Sequence, residues 1–179
     1  MATKANIDAR FIECNIYDLP DVLDEQFDIV YTSYGVLVWL HDLKRWAEII
    51  DHFLKPGGTF YIAEFHPFLW MFDNDDPEDL KLIRSYFPKG SPYEFDVDGT
   101  YAQSDKKIKP QKDYEWSHGL ATIITSICDA GLRIKFLHEF NKMPFQLFPF
   151  FKKKDDGYWH YDNPDIQIPL IFSLRAIKE

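Results

Sequence analysis

The chain has 179 residues, a net charge of −9 at pH 7 and a pI of about 5.1. This length suits one domain with a sizeable core. The acidic balance argues against a nucleic-acid partner, because a negative surface repels phosphate backbones. Aromatic residues make up 17% of the chain, which suggests a pocket or interface, although a Phe-rich core explains it equally well.

The N-terminal stretch MATKANIDAR lacks the apolar segment of a signal peptide, and no apolar run is long enough to span a membrane. The two cysteines, Cys14 and Cys128, form no disulfide framework. Because they fall in a strand and a helix pattern, we expect core residues rather than nucleophiles. These features predict a cytoplasmic protein without a membrane partner.

The first third of the chain reads as strand, strand, helix, strand. ARFIECN predicts a strand that ends near Cys14-Asn15, before a loop at residues 17–20. FDIVYTSYGVLVWL is an unbroken apolar run, which suits a parallel strand buried on both faces. HDLKRWAEIIDHFLKPGG has helical spacing, with Asp42 as N-cap and Pro56-Gly57-Gly58 at its end. TFYIAEF completes a strand–helix–strand unit.

Residues 67–116, approximately, are rich in Asp, Pro, Lys and Tyr, and we interpret them as an insertion. Within the insertion, DPEDLKLIRSYF predicts a short helix. YEFDVDGTYAQ alternates around Asp98-Gly99, which indicates a hairpin.

The last third predicts a helix, a strand, an aromatic loop and a final strand. The helix is SHGLATIITSICDAG, with Gly131 as its C-cap, and the strand is LRIKFLHEF. The aromatic loop covers about 141–165, and IQIPLIFSLRAIK follows it. Because no helix joins the two strands, we expect them to pair antiparallel. The order predicts a single α/β domain over 1–179, with a mostly parallel sheet that ends in an antiparallel hairpin.

Several of these segments resemble the class I S-adenosylmethionine-dependent methyltransferases, especially small-molecule enzymes with the methyltransferase type 11 signature. The segments span nearly the whole chain and are ECNIYDLP, FDIVYTSYGVLVWLHDLKRW, LKPGGTFYIAEFHP, YEWSH, AGLRIKFLHEF and LIFSLRAIK. LKPGG after a helix is the most specific of them. The resemblance implies a Rossmann-like, seven-stranded sheet in which the first three strands predicted here are the third, fourth and fifth.

In that family a glycine-bearing loop follows the first strand, but no glycine precedes Gly35 in this chain. The resemblance therefore implies a truncated domain that lacks the first two strands and corresponds to the C-terminal two-thirds of such an enzyme. An open strand edge invites pairing with another chain. We thus expect the sheet to be repaired within the chain or covered in a homodimer.

The resemblance also implies a binding site for S-adenosylmethionine at the ends of the parallel strands. Its residues would be Asn15, Ile16, Tyr17 and Asp18 on the adenine side, and Ser33, Tyr34 and Gly35 near the sulfonium. Asp18 would accept a hydrogen bond from the adenine amino group. From the residues alone, a loop-capping role for Asp18 fits equally well, and Tyr34-Gly35 fits a simple end of a strand.

Methyl transfer needs an aligned acceptor and, for some acceptors, a base. His66, after a predicted strand, and His118, in YEWSH, are the candidate catalytic bases, with Glu64 as a weaker one. A structural role fits either histidine as well, because a lone histidine is usually structural. The histidines show no metal-ligand spacing, so we expect no metal site.

The leading functional prediction is S-adenosylmethionine-dependent methyl transfer to a small molecule by the complete enzyme. We expect this chain by itself to bind the cofactor weakly or not at all. The alternative is a non-catalytic remnant of the fold that serves as a binding or oligomerisation module. A dehydrogenase fragment fits less well, because no dinucleotide fingerprint is present. The aromatic segments 65–72 and 145–151, together with Tyr158, Trp159 and Tyr161, would either roof an acceptor pocket or form a separate cluster under the loops.

Overall fold

The computed structural model describes residues 2–97 and 111–179. The α-helices are α1 (Leu19–Val22), α2 (Leu43–Phe53) and α3 (Leu120–Asp129), and short 3-10 helices cover Ala2–Ala5, Ile16–Asp18, Leu37–Trp39 and Pro67–Met71. The strands are β1 (Phe27–Ser33), β2 (Leu54–Phe65), β3 (Tyr93–Val97), β4 (Gln111–Glu115), β5 (Leu132–Phe140), β6 (Lys152–Lys153), β7 (Trp159–His160) and β8 (Ile171–Lys178). Within the described ranges, no helix has the length and apolar character to cross a membrane.

The central sheet has four strands in the order β1-β2-β8-β5. β1 is parallel to β2, and β8 is antiparallel to both β2 and β5. Three of the four strands therefore point the same way, and β5 and β8 form the predicted antiparallel hairpin. The predicted α/β class is confirmed.

Both long helices cover one face of this sheet. α2 begins at its predicted cap, because the Asp42 carboxylate accepts the Arg45 N–H at 2.9 Å. The core beneath the helices includes Trp46, Ile50, Phe60, Ile62, Ile127, Phe172 and Leu174. A second cluster lies beneath the aromatic loop and includes Phe65, Leu69, Phe72, Met143, Phe148 and Phe151. Much of the aromatic excess is therefore a separate hydrophobic cluster.

Two predictions for the N-terminal region are wrong. Residues 7–15 form no strand, and Phe11 is 83% exposed. β1 is not buried on both faces, because Ile29 and Tyr31 are 67% and 57% exposed. Residues 7–15 have no strand of the described sheet as a pairing partner. Ile29 and Tyr31 are exposed because no described helix covers their face of the sheet. Cys14 and Cys128 are likewise exposed rather than in the core.

The insertion also differs from its prediction. DPEDLKLIRSYF forms no helix; instead the Asp76 carboxylate accepts the N–H of Glu78 at 3.0 Å in a local turn. β3 pairs with β4, and Val97 lies opposite Gln111. The predicted turn at Asp98-Gly99 lies outside the described residues.

Candidate functional site

A buried carboxylate fixes the loop that follows β1. Glu64, near the end of β2, is 3% exposed. Its carboxylate accepts the N–H groups of Gly35, of Val36 at 2.9 Å, of Leu37 at 3.4 Å and of Phe65 at 2.8 Å. Gly35 has a φ of +78°, which favours glycine and helps successive N–H groups to converge. These four donors offset the cost of burying the charge.

The predicted adenine side lies against the start of α2. The Asn15 side chain accepts the Tyr17 N–H at 3.0 Å, and the Tyr17 hydroxyl accepts the Asp42 N–H at 2.9 Å. The Asp18 side chain makes no capping hydrogen bond to α1, so it does not play the capping role that the sequence left open. Because α2 follows the loop after β1, this segment and Ser33–Gly35 lie at the same end of the sheet.

A cavity of about 200 Å³ opens on the face of the sheet opposite α2 and α3. It is called the tyrosine cavity below. Its lining residues are Tyr34, Tyr61, Ala63, Phe140, Lys142, Pro144, Tyr158, Ile171 and Ser173. Tyr34 thus belongs both to the predicted sulfonium wall and to this cavity.

Aromatic rings and one cation dominate the tyrosine cavity. The Lys142 ammonium lies 4.3 Å from the centre of the Tyr158 ring and 3.4 Å from Asp156 Oδ2. Burial raises the pKa of the Tyr34 hydroxyl, and the neighbouring Tyr31 and Tyr61 raise it further. Tyr34 therefore stays a neutral phenol at physiological pH.

The structure buries His66 away from this cavity. His66 is 6% exposed, and its Nδ1 accepts the Phe68 N–H at 3.2 Å, at the start of Pro67–Met71. Its Nε2 lies 3.0 Å from Glu139 Oε1, without the alignment of a hydrogen bond. Burial lowers the pKa of His66, and Glu139 opposes that shift. These contacts favour a structural role.

His118 lies at a different, much smaller space, which it lines with Glu64, Trp70 and Trp116 among others. Its Nε2 is 2.6 Å from the Leu40 carbonyl oxygen. Burial lowers the pKa of His118, and the Leu40 carbonyl opposes the shift. Neither candidate histidine lines the tyrosine cavity, and the structure brings them to no common site.

Sequence reasoning named Glu64 only as a weaker candidate base and missed its role in holding the loop. The signal was its place as the one charged residue inside the apolar strand TFYIAEF. Tyr158 was named only as part of a possible aromatic roof, and Lys142 carried no signal, because the fold of the aromatic loop brings it to the sheet. Among the described residues, no group of three or more His, Cys, Asp and Glu side chains could hold a metal ion.

His66, which is buried, and His118, which is half-buried, predict acid sensitivity. Both pKa values are lowered in the fold from the ordinary 6.5, so below that pH the unfolded chain binds more protons. The free energy of unfolding should therefore fall as the pH drops from about 6.5 to 5, by up to about 1.4 kcal/mol per pH unit for each histidine. Urea unfolding at several pH values measures this slope. His118→Gln should flatten it and His52→Gln, at an exposed site, should not; equal slopes would contradict the prediction.

The fold matches solved methyltransferase structures. A protein from Listeria monocytogenes, described as an S-adenosylmethionine-dependent methyltransferase, superposes with a TM-score of 0.61 at 13% identity, over 98% of this chain and 73% of that one. A Clostridium acetobutylicum S-adenosylmethionine-dependent methyltransferase gives 0.57 at 11%, over 99% and 68%. One from Mesorhizobium loti gives 0.51 at 15%, over 85% and 62%. At these identities the likeness establishes the fold, which is that of the class I methyltransferases.

The sequence supports the same class over its first third. Residues 1–62 match the model of the family described as "Methyltransferase domain". The fold is therefore that of the class I methyltransferases, and the family match covers about a third of the chain. No curated protein matches the chain in sequence.

Proposed function

We propose that this domain transfers a methyl group from S-adenosylmethionine to a small-molecule acceptor. The observation that carries the proposal is the fixed loop at residues 34–37, which lies at the carboxyl end of the sheet and shares Tyr34 with the tyrosine cavity. Ligands of open α/β sheets bind at this end of the strands. The family match of residues 1–62 supports the reaction class.

The residues present fit two parts of S-adenosylmethionine. Asn15–Asp18 suit the adenine, with the Asp18 carboxylate as acceptor for its amino group. The Tyr34 ring suits a positively charged sulfonium, and the adjacent Gly35 has a φ of +78°, which favours glycine. Contacts to the ribose and the amino-acid end have no counterpart among the described residues. When bound, the cofactor supplies the activated methyl group.

The task of this chain is then to bind and orient the acceptor. The tyrosine cavity excludes water from an apolar ligand and holds it against Tyr34. A proton released from the acceptor passes to solvent at the open mouth of the cavity, because neither His66 nor His118 lines it. We place the protein in the cytoplasm, where its exposed thiols would stay reduced.

Calorimetric titration of the 179-residue chain with S-adenosylmethionine tests the proposal. We expect weak but measurable binding, because the contacts to the ribose and the amino-acid end are missing, and Asp18→Ala should weaken it about tenfold, the worth of one hydrogen bond to a charged group. Asp21→Ala, an exposed carboxylate on α1, is the matched control and should bind normally. No binding at millimolar ligand would overturn the proposal for this chain.

A second candidate function, a non-catalytic oligomerisation module, is favoured by the open edge of β1. The Tyr34 N–H donates to the Ala63 carbonyl at 2.9 Å, and Ser33 is the register partner of Ala63. In a parallel ladder only alternate residues bond to the neighbour. The even-numbered residues therefore bond to β2, and the N–H and C=O groups of Ile29, Tyr31 and Ser33 point outward.

We propose that β1 of a second copy covers this edge in antiparallel orientation. Pairing centred on Val30 places Ile29 opposite Tyr31 and Asp28 opposite Thr32, so no like charges meet and apolar side chains pair on one face. Asp28 is already neutralised by Lys55 at 2.9 Å. Light scattering should then give twice the 21.2 kDa chain mass, and a monomer at all concentrations would contradict the dimer.

A further inference from the structure

The charge of the tyrosine cavity selects among possible ligands. Of its nine lining residues, Lys142 is the single cation and none is acidic. Aromatic surface on several sides comes from four of them, Tyr34, Tyr61, Phe140 and Tyr158. The cavity thus combines a lining of aromatic rings with one positive charge.

A cationic ligand is disfavoured there. The Lys142 ammonium already lies over the Tyr158 ring, and a second cation would be repelled by it. An anion is favoured, because the present partner of Lys142 is replaceable: Asp156 Oδ2 is 3.4 Å away and also lies 3.1 Å from His160 Nε2. Asp156 can keep the His160 contact while Lys142 pairs with a ligand.

The size of the cavity favours one aromatic ring. About 200 Å³ is below the usual range for drug-sized ligands, roughly 300 to 1,000 Å³. Ser173, which is 3% exposed, adds a hydroxyl on the β8 side. A ring packed between the tyrosine faces, with its carboxylate near the Lys142 ammonium, matches the size, the aromatic lining and the charge of the cavity.

We propose that the tyrosine cavity binds a small aromatic carboxylate, with its ring against Tyr34, Tyr61 and Phe140 and its carboxylate paired with Lys142. Calling this ligand the methyl acceptor rests on the proposed function; the binding itself does not. The carboxylate would then fix the orientation of the ring relative to Tyr34, which borders the predicted sulfonium site.

Three probes of the same shape and different charge test this assignment: benzoate, benzamide and benzylamine. Each is titrated into the full chain by ligand-observed NMR and calorimetry. Benzoate should bind about tenfold more tightly than benzamide, the worth of one charge-assisted hydrogen bond, and benzylamine most weakly. Lys142→Met should abolish the preference for benzoate. Lys152→Met, on the same loop but outside the cavity, should preserve it.

The outcomes separate this proposal from the proposed function. Preferential binding of benzoate that depends on Lys142 supports the assignment even where S-adenosylmethionine fails to bind, in which case the proposed function alone falls. Equal binding of the three probes, tighter binding of benzylamine, or a benzoate preference that survives Lys142→Met would overturn it. The assignment would also be overturned if benzoate did not bind to a chain that binds S-adenosylmethionine, or to a chain that circular dichroism shows to be folded.

Discussion

Replacing Glu64 with glutamine should lower the free energy of unfolding by about 2–4 kcal/mol, because hydrogen bonds to a buried charged acceptor are lost. The Glu64 carboxylate accepts four backbone N–H groups, three of them from residues 35–37. The glutamine amide is isosteric, yet its NH₂ group is a donor and would face another donor. One or two N–H groups would then be buried without an acceptor.

The same change should release the loop. Amide hydrogen exchange at Gly35, Val36 and Leu37 should accelerate in Glu64→Gln, and binding of S-adenosylmethionine should weaken with it. Glu94→Gln is the control, because Glu94 is half exposed and pairs with Lys112 at the surface; it should cost less than about 1 kcal/mol. Unchanged stability and unchanged exchange in Glu64→Gln would show that the loop is held by other contacts.

Ile29→Pro should convert the proposed dimer to a monomer. The Ile29 N–H points to the open edge of β1, so proline removes a donor between copies and leaves the β1–β2 ladder intact. Ile29 is 67% exposed, so the change in the core should be small. Light scattering should show the mass falling from two chains to one at concentrations where the original chain is dimeric.

Ile29→Val is the matched control for the edge. It keeps the N–H group and the β-branched shape, so it should preserve the dimer. Circular dichroism should show the same fold in both variants. A dimer that survives Ile29→Pro would mean that the two copies do not meet along β1, and the oligomerisation module would lose the observation that favours it.

Local sequence patterns predicted the elements that depend on their own residues. Asp42 caps α2 as expected, and Gly131 has a positive φ after α3, as a C-cap glycine should. The connection between β5 and β8 contains no helix, and because parallel neighbours are usually joined by a crossover helix, antiparallel pairing was expected. For the two caps, the deciding hydrogen bond or turn lies within a few residues of the signal.

The site was predictable only in part. The resemblance indicated Asn15–Asp18 and Ser33–Gly35, and the structure places both groups at one end of the sheet, while their role in binding the cofactor stays a prediction. Lys142 was not indicated, because nothing in NKMPFQ predicts which face of the sheet it will contact. His66 and His118 looked equivalent in sequence, although the structure gives them different environments.

The amino-acid sequence by itself determined the α/β class and the cap of α2, because these follow from hydrophobic periodicity and local hydrogen bonding. It also determined the antiparallel ending of the sheet, because no helix separates the last two strands. Only the tertiary structure decided that residues 7–15 form no strand, that Ile29 and Tyr31 face outward, and that Glu64 binds the loop after β1. A strand needs a partner for its backbone, and a buried charge needs donors from elsewhere in the chain. Both conditions are properties of neighbours in space, which a linear pattern does not contain.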